Sequence, residues 1–249
     1  MPKDGELSRS SLRALEIFEA FRDARRPLSL TEIARLTNMP ISTCHGVFKA
    51  LEQRGFLYFD SARNAYPTRR LFILAEEIND HDPIISRLAP ALMKMRDKVD
   101  ETVILGIRHG DSVIYLLVLE SSQAIRYSGK AGGRTSIHSS SIGKVILGAM
   151  QPDALDAWLR SAKLNKITEH TITSTTRLKA DLFASKARGY YVTYGENVSE
   201  VMAVAAPLKI GTTTFGVAIA GPLQRLAKKE EVLGKTLVRE LKAIEDSGQ

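Results

Sequence analysis

The sequence predicts an α+β chain in three stretches: an N-terminal winged helix-turn-helix over residues 1–79, a linker helix over 80–99, and an antiparallel sheet flanked by helices over 100–249. Three observations predict this. Residues 28–68 set two short helical patterns ahead of a hairpin pattern, and residues 80–99 keep a helical period. From Glu101 onward β-branched runs alternate with turn residues and further helical stretches.

Leu12, Leu15, Phe18 and Phe21 recur every three residues, so the spacing predicts a first helix from Leu7 to Phe21 that buries this stripe. Arg22, Arg25 and Arg26 follow beside Pro27; they suit a helix C-terminus or a phosphate contact equally well. Ser29 stands three residues before Glu32, the spacing of a capping box, and Leu30, Ile33, Ala34 and Leu36 give the next helix one apolar face. Thr37 to Met39 interrupt it, and Pro40 presets the first turn of another helix reaching about Arg54. In that helix Ile41, Cys44, Val47, Phe48 and Leu51 are expected to face a core, leaving Ser42, His45, Gly46, Lys49 and Gln53 outward with Thr43 at the edge. A helical hairpin buried in a larger domain would not keep those polar residues on one side. FLYFD and AYPT, separated by Ser61 to Asn64, then read as a wing with a basic tip at Arg63.

Arg69 to Asn79 reads as a short helix. Asp82 and Pro83 open the linker helix, whose stripe runs through Ile84, Ile85, Leu88, Leu92, Met95 and Val99 and which Pro90 is expected to kink. TVILGIR and SVIYLLVLE flank HGDS, a hairpin signal, and YYVTYGE, VMAVAAPLKI and FGVAIAGP are further strands, the last two joined by Gly211 to Thr214. Helices are expected at Ile142 to Met150, Pro152 to Arg160, Arg177 to Arg188 and Leu226 to Glu245.

The chain has 249 residues, 44% of them hydrophobic, enough for one large or two ordinary cores. No apolar run approaches a membrane span and the N-terminus lacks a signal-peptide core, so a soluble, cytoplasmic protein is expected. The single cysteine, Cys44, excludes a disulfide framework and is expected to pack as a small apolar group. A net charge of +7 suits a polyanionic partner, but it is not concentrated in the helix-turn-helix: residues 83–249 hold 23 basic and 16 acidic side chains.

GKAGGRTSIHSSSIGKVILGAM fails as a phosphate loop, because His138 stands where a glycine is needed and Val145 where a hydroxyl is needed. His138 beside Ser139, Ser140 and Ser141 lacks a nucleophile elbow and a nameable third partner, which favours a structural or ligand-orienting histidine. His81, His109 and His170 have no metal-ligand spacing, so neither metal nor cofactor is expected. Arg126, Lys130, Arg134 and Lys144, with no acidic residue between Ser121 and Pro152, read as a solvated face or as an attractor of anions.

Over almost its full length the chain resembles the IclR family of bacterial transcriptional regulators. The resemblance is carried by SLRALEIFEAF, ISTCHGVFKALEQRGFL, GGRTSIHSSSIGKVILGAM, RGYYVTYGE, VAAPL and AGPLQRL, in that order and spacing. It implies a GAF-like effector-binding domain after the linker helix, homodimers or dimers of dimers formed through the N-terminal part, and regulation of operons by small organic molecules, often carboxylates or aromatic catabolites. It places the effector near Tyr127, Thr135, Ser141, Ile142, Val201, Ala203, Ala218 and Ala220. Ser141 and Ile142 stand where the family usually has Gly and Ala, Glu200 where it has Gly, and Ala203 where Cys is common. Ala218 and Ala220 replace serines that can hold a carboxylate, so a more apolar effector, or one anchored elsewhere, is expected.

The expected function is thus a regulator that binds double-stranded operator DNA and responds to a small organic effector, with no membrane partner and no catalysis. Ser42 and Thr43 would dock the recognition helix, His45 would meet a base or phosphate, and Lys49 and Arg63 would contact phosphate or base edges. Gly46, which costs about 1 kcal/mol in a helix interior, points to close approach by the duplex or by a neighbouring helix. The competing reading is an enzyme acting on a small molecule, with the helix-turn-helix auxiliary.

Overall fold

The computed structural model describes residues 9–246 and divides into two compact units that meet in sequence between Asp82 and Pro83. The first holds α1 (Arg9–Ala24), α2 (Leu30–Leu36), α3 (Ile41–Gln53), the hairpin β1 (Leu57–Phe59) and β2 (Ala65–Pro67), and α4 (Arg70–Asp80). The capping box forms: the Glu32 amide donates to Ser29 Oγ at 3.3 Å and the Ser29 amide to Glu32 Oε2 at 2.9 Å. Leu28 and Ala65 exchange backbone hydrogen bonds, which ties the entry to α2 onto the wing. Ile17, Phe21, Ile33, Met39, Cys44, Phe48 and Leu57 fill the core, and burial pushes the Cys44 thiol up.

Several helical faces differ from expectation. Leu7 lies outside the described residues, and α1 runs on to Ala24. Leu12 and Leu15 are exposed, because a strict three-residue spacing drifts around a helix of 3.6 residues per turn; Ile17 is buried instead. Leu36 and Ile41, expected to be inward, are exposed at the ends of α2 and α3, where the neighbouring turn carries them off the core. No residue of α4 is buried; Phe72, Ile73, Leu74 and Ile78 are all exposed.

The second unit is a six-stranded antiparallel sheet in the order β5-β4-β3-β8-β7-β6. Its strands are β3 (Thr102–His109), β4 (Ser112–Leu119), β5 (Arg134–Ser136), β6 (Tyr191–Tyr194), β7 (Val201–Ile210) and β8 (Thr213–Pro222). The short β5 has no hydrophobic alternation, and the sequence pattern missed it. α5 (Pro83–Val99) continues through Pro90, and with α10 (Glu230–Asp246) it packs Leu88, Leu92, Met95, Leu233, Leu237 and Leu241 on one face. The intervening α9 (Leu223–Leu226) and a 3-10 turn break the single helix expected from Leu226. α6 (Ser141–Gly148), α7 (Pro152–Ser161) and α8 (Thr175–Arg188) cover the other face. Alternation sorts the two cores: Val103, Leu105, Val217 and Ile219 turn toward α5 and α10, while Ile104, Ala218 and Ala220 turn toward α6. No described helix is long and apolar enough to cross a membrane.

Candidate functional site

In the first unit the outward face of α3 meets the wing. His45, Phe48, Lys49 and Glu52 line one side of a groove of about 740 Å³, and Phe59, Asp60, Ser61 and Arg63 line the other. The wing tip is built around Asp60, whose Oδ1 accepts the amides of Ala62 at 2.9 Å and Asn64 at 2.8 Å. Three donors hold its carboxyl below the usual range, the Asn64 amide foremost. That turn places Arg63 in the left-handed region at φ 61°, exposed at the tip. Among the described residues neither Lys49 nor Arg63 takes part in an ion pair, so both cations are available to a polyanion. Ser42, His45 and Gly46 are exposed and Thr43 is half-buried. A Cβ on Gly46 would meet no atom within 4 Å, which removes crowding by a neighbouring helix within this unit as the reason for the glycine.

In the second unit a small cavity lies over an alanine floor. Ala203 pairs with Ala220 and Ala205 with Ala218, so two strands set short side chains side by side, with Ile104 of the third strand next to Ala218. Tyr115 and Tyr127 close one side, their hydroxyls 3.4 Å apart, and burial drives the Tyr115 phenol well above its ordinary range. Ser140, Ser141 and Ile142 at the start of α6, Thr193, Asn197, Val198 and Val201 complete the lining. Ile142 abuts the sheet where Gly216 makes room, since a Cβ there would lie 2.6 Å from Ile142 Cγ2.

The cavity brings together Tyr127, Ser141, Ile142, Val201, Ala203, Ala218 and Ala220; Thr135, on β5, does not reach it and lines a neighbouring cleft. The effector residues expected from the sequence did not include Ile104, Tyr115, Ser140, Thr193, Asn197 and Val198, and of these Ile104 and Tyr115 carried a signal, the alternation of their strands. Among the described residues no charged side chain lines the cavity, so recognition there falls to hydroxyls, an amide and apolar surface. Its free volume, about 30 Å³, is close to one water's share of the liquid.

Below the cavity the serine run and its histidine are structural. His138 Nε2 lies 3.1 Å from the Asn165 carbonyl oxygen and so carries the proton, which leaves Nδ1 to accept from the Ser136 hydroxyl at 2.7 Å. Burial, more than any other influence, lowers its pKa and keeps the ring neutral. Ser140 caps α6 by accepting the Gly143 amide at 3.2 Å, and Ser139 Oγ donates to Asn197 Oδ1 at 3.2 Å.

Lys144 corrects an expectation: it belongs to no solvated or anion-attracting face. Its ammonium is fully buried, 2.6 Å from Glu196 Oε1, 2.8 Å from Asp181 Oδ2 and 3.3 Å from the Val192 carbonyl oxygen. Burial raises the Glu196 carboxyl even so, with Lys144 opposing it. Arg126 likewise pairs with Glu120 at 2.8 Å.

Comparison with known proteins agrees with both units. Residues 77–245 match the profile of the bacterial transcriptional regulator IclR C-terminal domain, and residues 10–61 match the IclR helix-turn-helix domain. The HTH-type transcriptional regulator BhcR of Paracoccus denitrificans is 32% identical over 220 residues, 86% of this chain and 78% of that protein. Among solved structures, the Thermotoga maritima IclR aligns with a TM-score of 0.78 at 25% identity, covering 96% of this chain and 98% of that one. An IclR homolog from Microbacterium hydrocarbonoxydans complexed with 4-hydroxybenzoate shares the fold, with a TM-score of 0.78 at 20% identity over 96% of this chain and 99% of that one.

Proposed function

Since the chain belongs to the IclR family of bacterial transcriptional regulators and is a DNA-binding regulator responsive to a small organic effector, we propose where each half of that function resides. The α3 and wing groove is the DNA surface. Lys49 and Arg63 neutralise phosphates on either side of it, His45 reaches a base edge or phosphate, and Ser42, Thr43 and Gly46 let the helix sit deep in the major groove. The observation that carries this reading is the convergence of Lys49, His45 and Arg63, none adjacent in sequence to another, on one exposed groove.

The alanine-floored cavity is the effector site. Its uncharged lining favours a compact, largely apolar molecule with one or two hydrogen-bonding groups, such as an aromatic acid or phenol, over a small keto acid. We assign no catalytic role to the chain. The exposed apolar residues of α4, Phe72, Ile73, Leu74 and Ile78, support a homodimer as the DNA-binding species, in which a second copy would cover them.

Salt-dependent titration of DNA selected by the protein from a random duplex library tests the DNA surface. Lys49→Ala and Arg63→Ala are each expected to weaken binding and to reduce the salt slope by about 1. Unchanged affinity and slope in both variants would remove these contacts. A thermal-shift series with 4-hydroxybenzoate and related organic acids tests the cavity, because a ligand bound to the folded state raises the unfolding temperature.

A further inference from the structure

The cavity is too small, as it stands, for the molecule that it is proposed to bind. A site that holds benzene measures about 150 Å³, against about 30 Å³ here. Floor and α6 cannot yield the difference: the alanines belong to paired central strands, and α6 is wedged so close that a Cβ on Gly143 would lie 1.9 Å from the Ile137 carbonyl oxygen. Two irregular segments remain, residues 120–130 with Tyr127 and residues 195–200 with Asn197 and Val198.

They are held differently. Residues 195 and 196 are buried and pinned, while Val198, Ser199 and Glu200 are exposed and are tied back where the Val201 amide donates to the Val198 carbonyl at 3.0 Å. Glu196 pairs with buried Lys144, the Thr171 hydroxyl donates to the Glu196 carbonyl at 2.7 Å, the Thr168 hydroxyl donates to the Gly195 carbonyl at 2.6 Å, and the Gly195 amide donates to the Val201 carbonyl at 2.8 Å. Residues 120–130 are largely exposed, apart from buried Ser121, and are held mainly by side-chain hydrogen bonds. Glu120 holds Arg126 and Ser128 within the segment and Arg225 Nη2 of α9 donates to the Ile125 carbonyl at 3.0 Å, while the remaining tethers meet at the junction of α5 and β3. The Asp100 carboxylate accepts from Ser122 Oγ at 2.9 Å and from Gln123 Nε2, and the Asp100 carbonyl accepts from Ser121 Oγ at 2.8 Å. Arg96 Nη1, one turn earlier, donates to the Glu120 carbonyl at 3.0 Å, and the Thr102 hydroxyl donates to the Tyr127 carbonyl at 2.6 Å. α5 is also the helix that the chain enters directly on leaving the DNA-binding unit at Asp82.

We infer that residues 120–130 form the wall that moves to admit the effector, and that Asp100 latches this wall to the end of α5, so that opening the cavity loosens the helix joined in sequence to the DNA-binding unit. This rests on the effector-site reading above and adds to it the element that carries the signal. The wall anchored at Gly195 and Glu196 stays in place, and Tyr127 swings with its segment.

Hydrogen exchange on the full-length chain tests the inference without a known ligand. Asp100 sits at φ 51°, which asparagine tolerates, so Asp100→Asn keeps the backbone while removing the negative charge and one of the two carboxylate acceptors. Gln123→Ala is the second variant, with Asp100 left in place. Each is expected to speed exchange over 121–130 about tenfold or more, with 195–200 changed less than twofold. The affinity of Asp100→Asn for duplex DNA selected by the wild-type chain is expected to change threefold or more. Unchanged exchange over 121–130 in both folded variants overturns the latch, and equal acceleration of both segments overturns the choice of wall. Altered exchange with unchanged DNA affinity overturns the link to the DNA-binding unit. A wild-type chain that selects no sequence counts against the regulator reading instead, and the exchange comparison still decides the wall.

Discussion

The two units place the residues proposed to carry function in opposite settings. In the first, all of them lie between residues 42 and 63, on the outside of one helix and one hairpin tip, and the core beneath is ordinary. In the second they are drawn from positions as far apart as Ile104 and Ala220, and they face inward onto a space barely large enough for water. A surface site depends on the pattern of a single element, so losing one residue removes a contact and leaves the fold. An interior site shares its residues with the core, so function and stability are entangled. Lys144 shows this most sharply: its ammonium joins α6, which lines the cavity, to the segment that forms its fixed wall.

That entanglement predicts the largest effect. Lys144→Met leaves the Glu196 carboxylate buried without its cation, and breaking a buried pair in this way costs about 3–5 kcal/mol. Glu196→Gln is expected to cost much less, because the amide oxygen still accepts from Lys144 and Asp181 still balances its charge. Burial raises the Glu196 carboxyl above its ordinary 4.5, so its ionised form is the one penalised by folding. The penalty is full above the folded value and fades as pH falls through it, so the Lys144→Met deficit should shrink in acid. Denaturant unfolding followed by Trp158, the single tryptophan and a residue of the second unit, reads both variants directly. Equal losses in the two variants would show that the triad acts through packing and not through charge.

The same contrast explains what could be read in the sequence. The capping box at Ser29 and Glu32, the second helix of the helix-turn-helix and the wing were legible because each is a local pattern of one element, and the exposure of Lys49 and Arg63 on them followed. Leu12, Leu15, Leu36 and Ile41 misled because periodicity marks an apolar stripe without saying where the neighbouring helix ends. In the second unit the strands announced themselves, yet no pattern said that Ala203 would stand beside Ala220 or that Asn197 would fold over them. Those neighbours are fixed by strand register. Lys144 read as a surface cation because its partners, Asp181 and Glu196, are 37 and 52 residues away.

Gly46 sharpens the comparison from the surface side, with a smaller effect of two signs. Alanine there should stabilise α3 by about 1 kcal/mol, since nothing lies within 4 Å of the added carbon. If the glycine is present for close approach to the duplex, the same change weakens DNA binding, by threefold or more in a titration at fixed salt. Calorimetry and binding should therefore move in opposite directions. Tighter or unchanged binding by Gly46→Ala would return this glycine to the category of tolerated helix residues and leave the depth of insertion to Ser42 and Thr43.

The smallest effect belongs to the entry of α2, the structural side of the DNA-binding unit. Glu32 is paired with Arg26 at 2.7 Å and accepts from the Ser29 amide and hydroxyl at 2.9 and 2.8 Å. These partners, Arg26 foremost, pull its carboxyl from 4.5 down to about 2. A lowered folded value means that the stabilisation is fully present above 4.5 and is lost as pH falls through about 2. Glu32→Gln preserves the capping geometry through its amide oxygen but removes the charge. Melting of the first unit, followed from neutral pH down to about 2, should therefore fall more steeply for the wild type than for the variant below 4.5, and run parallel above it. Parallel curves throughout would mean that the Arg26 pair is screened by solvent at this exposed corner, and that the capping bonds alone hold α2 in register beneath the recognition helix.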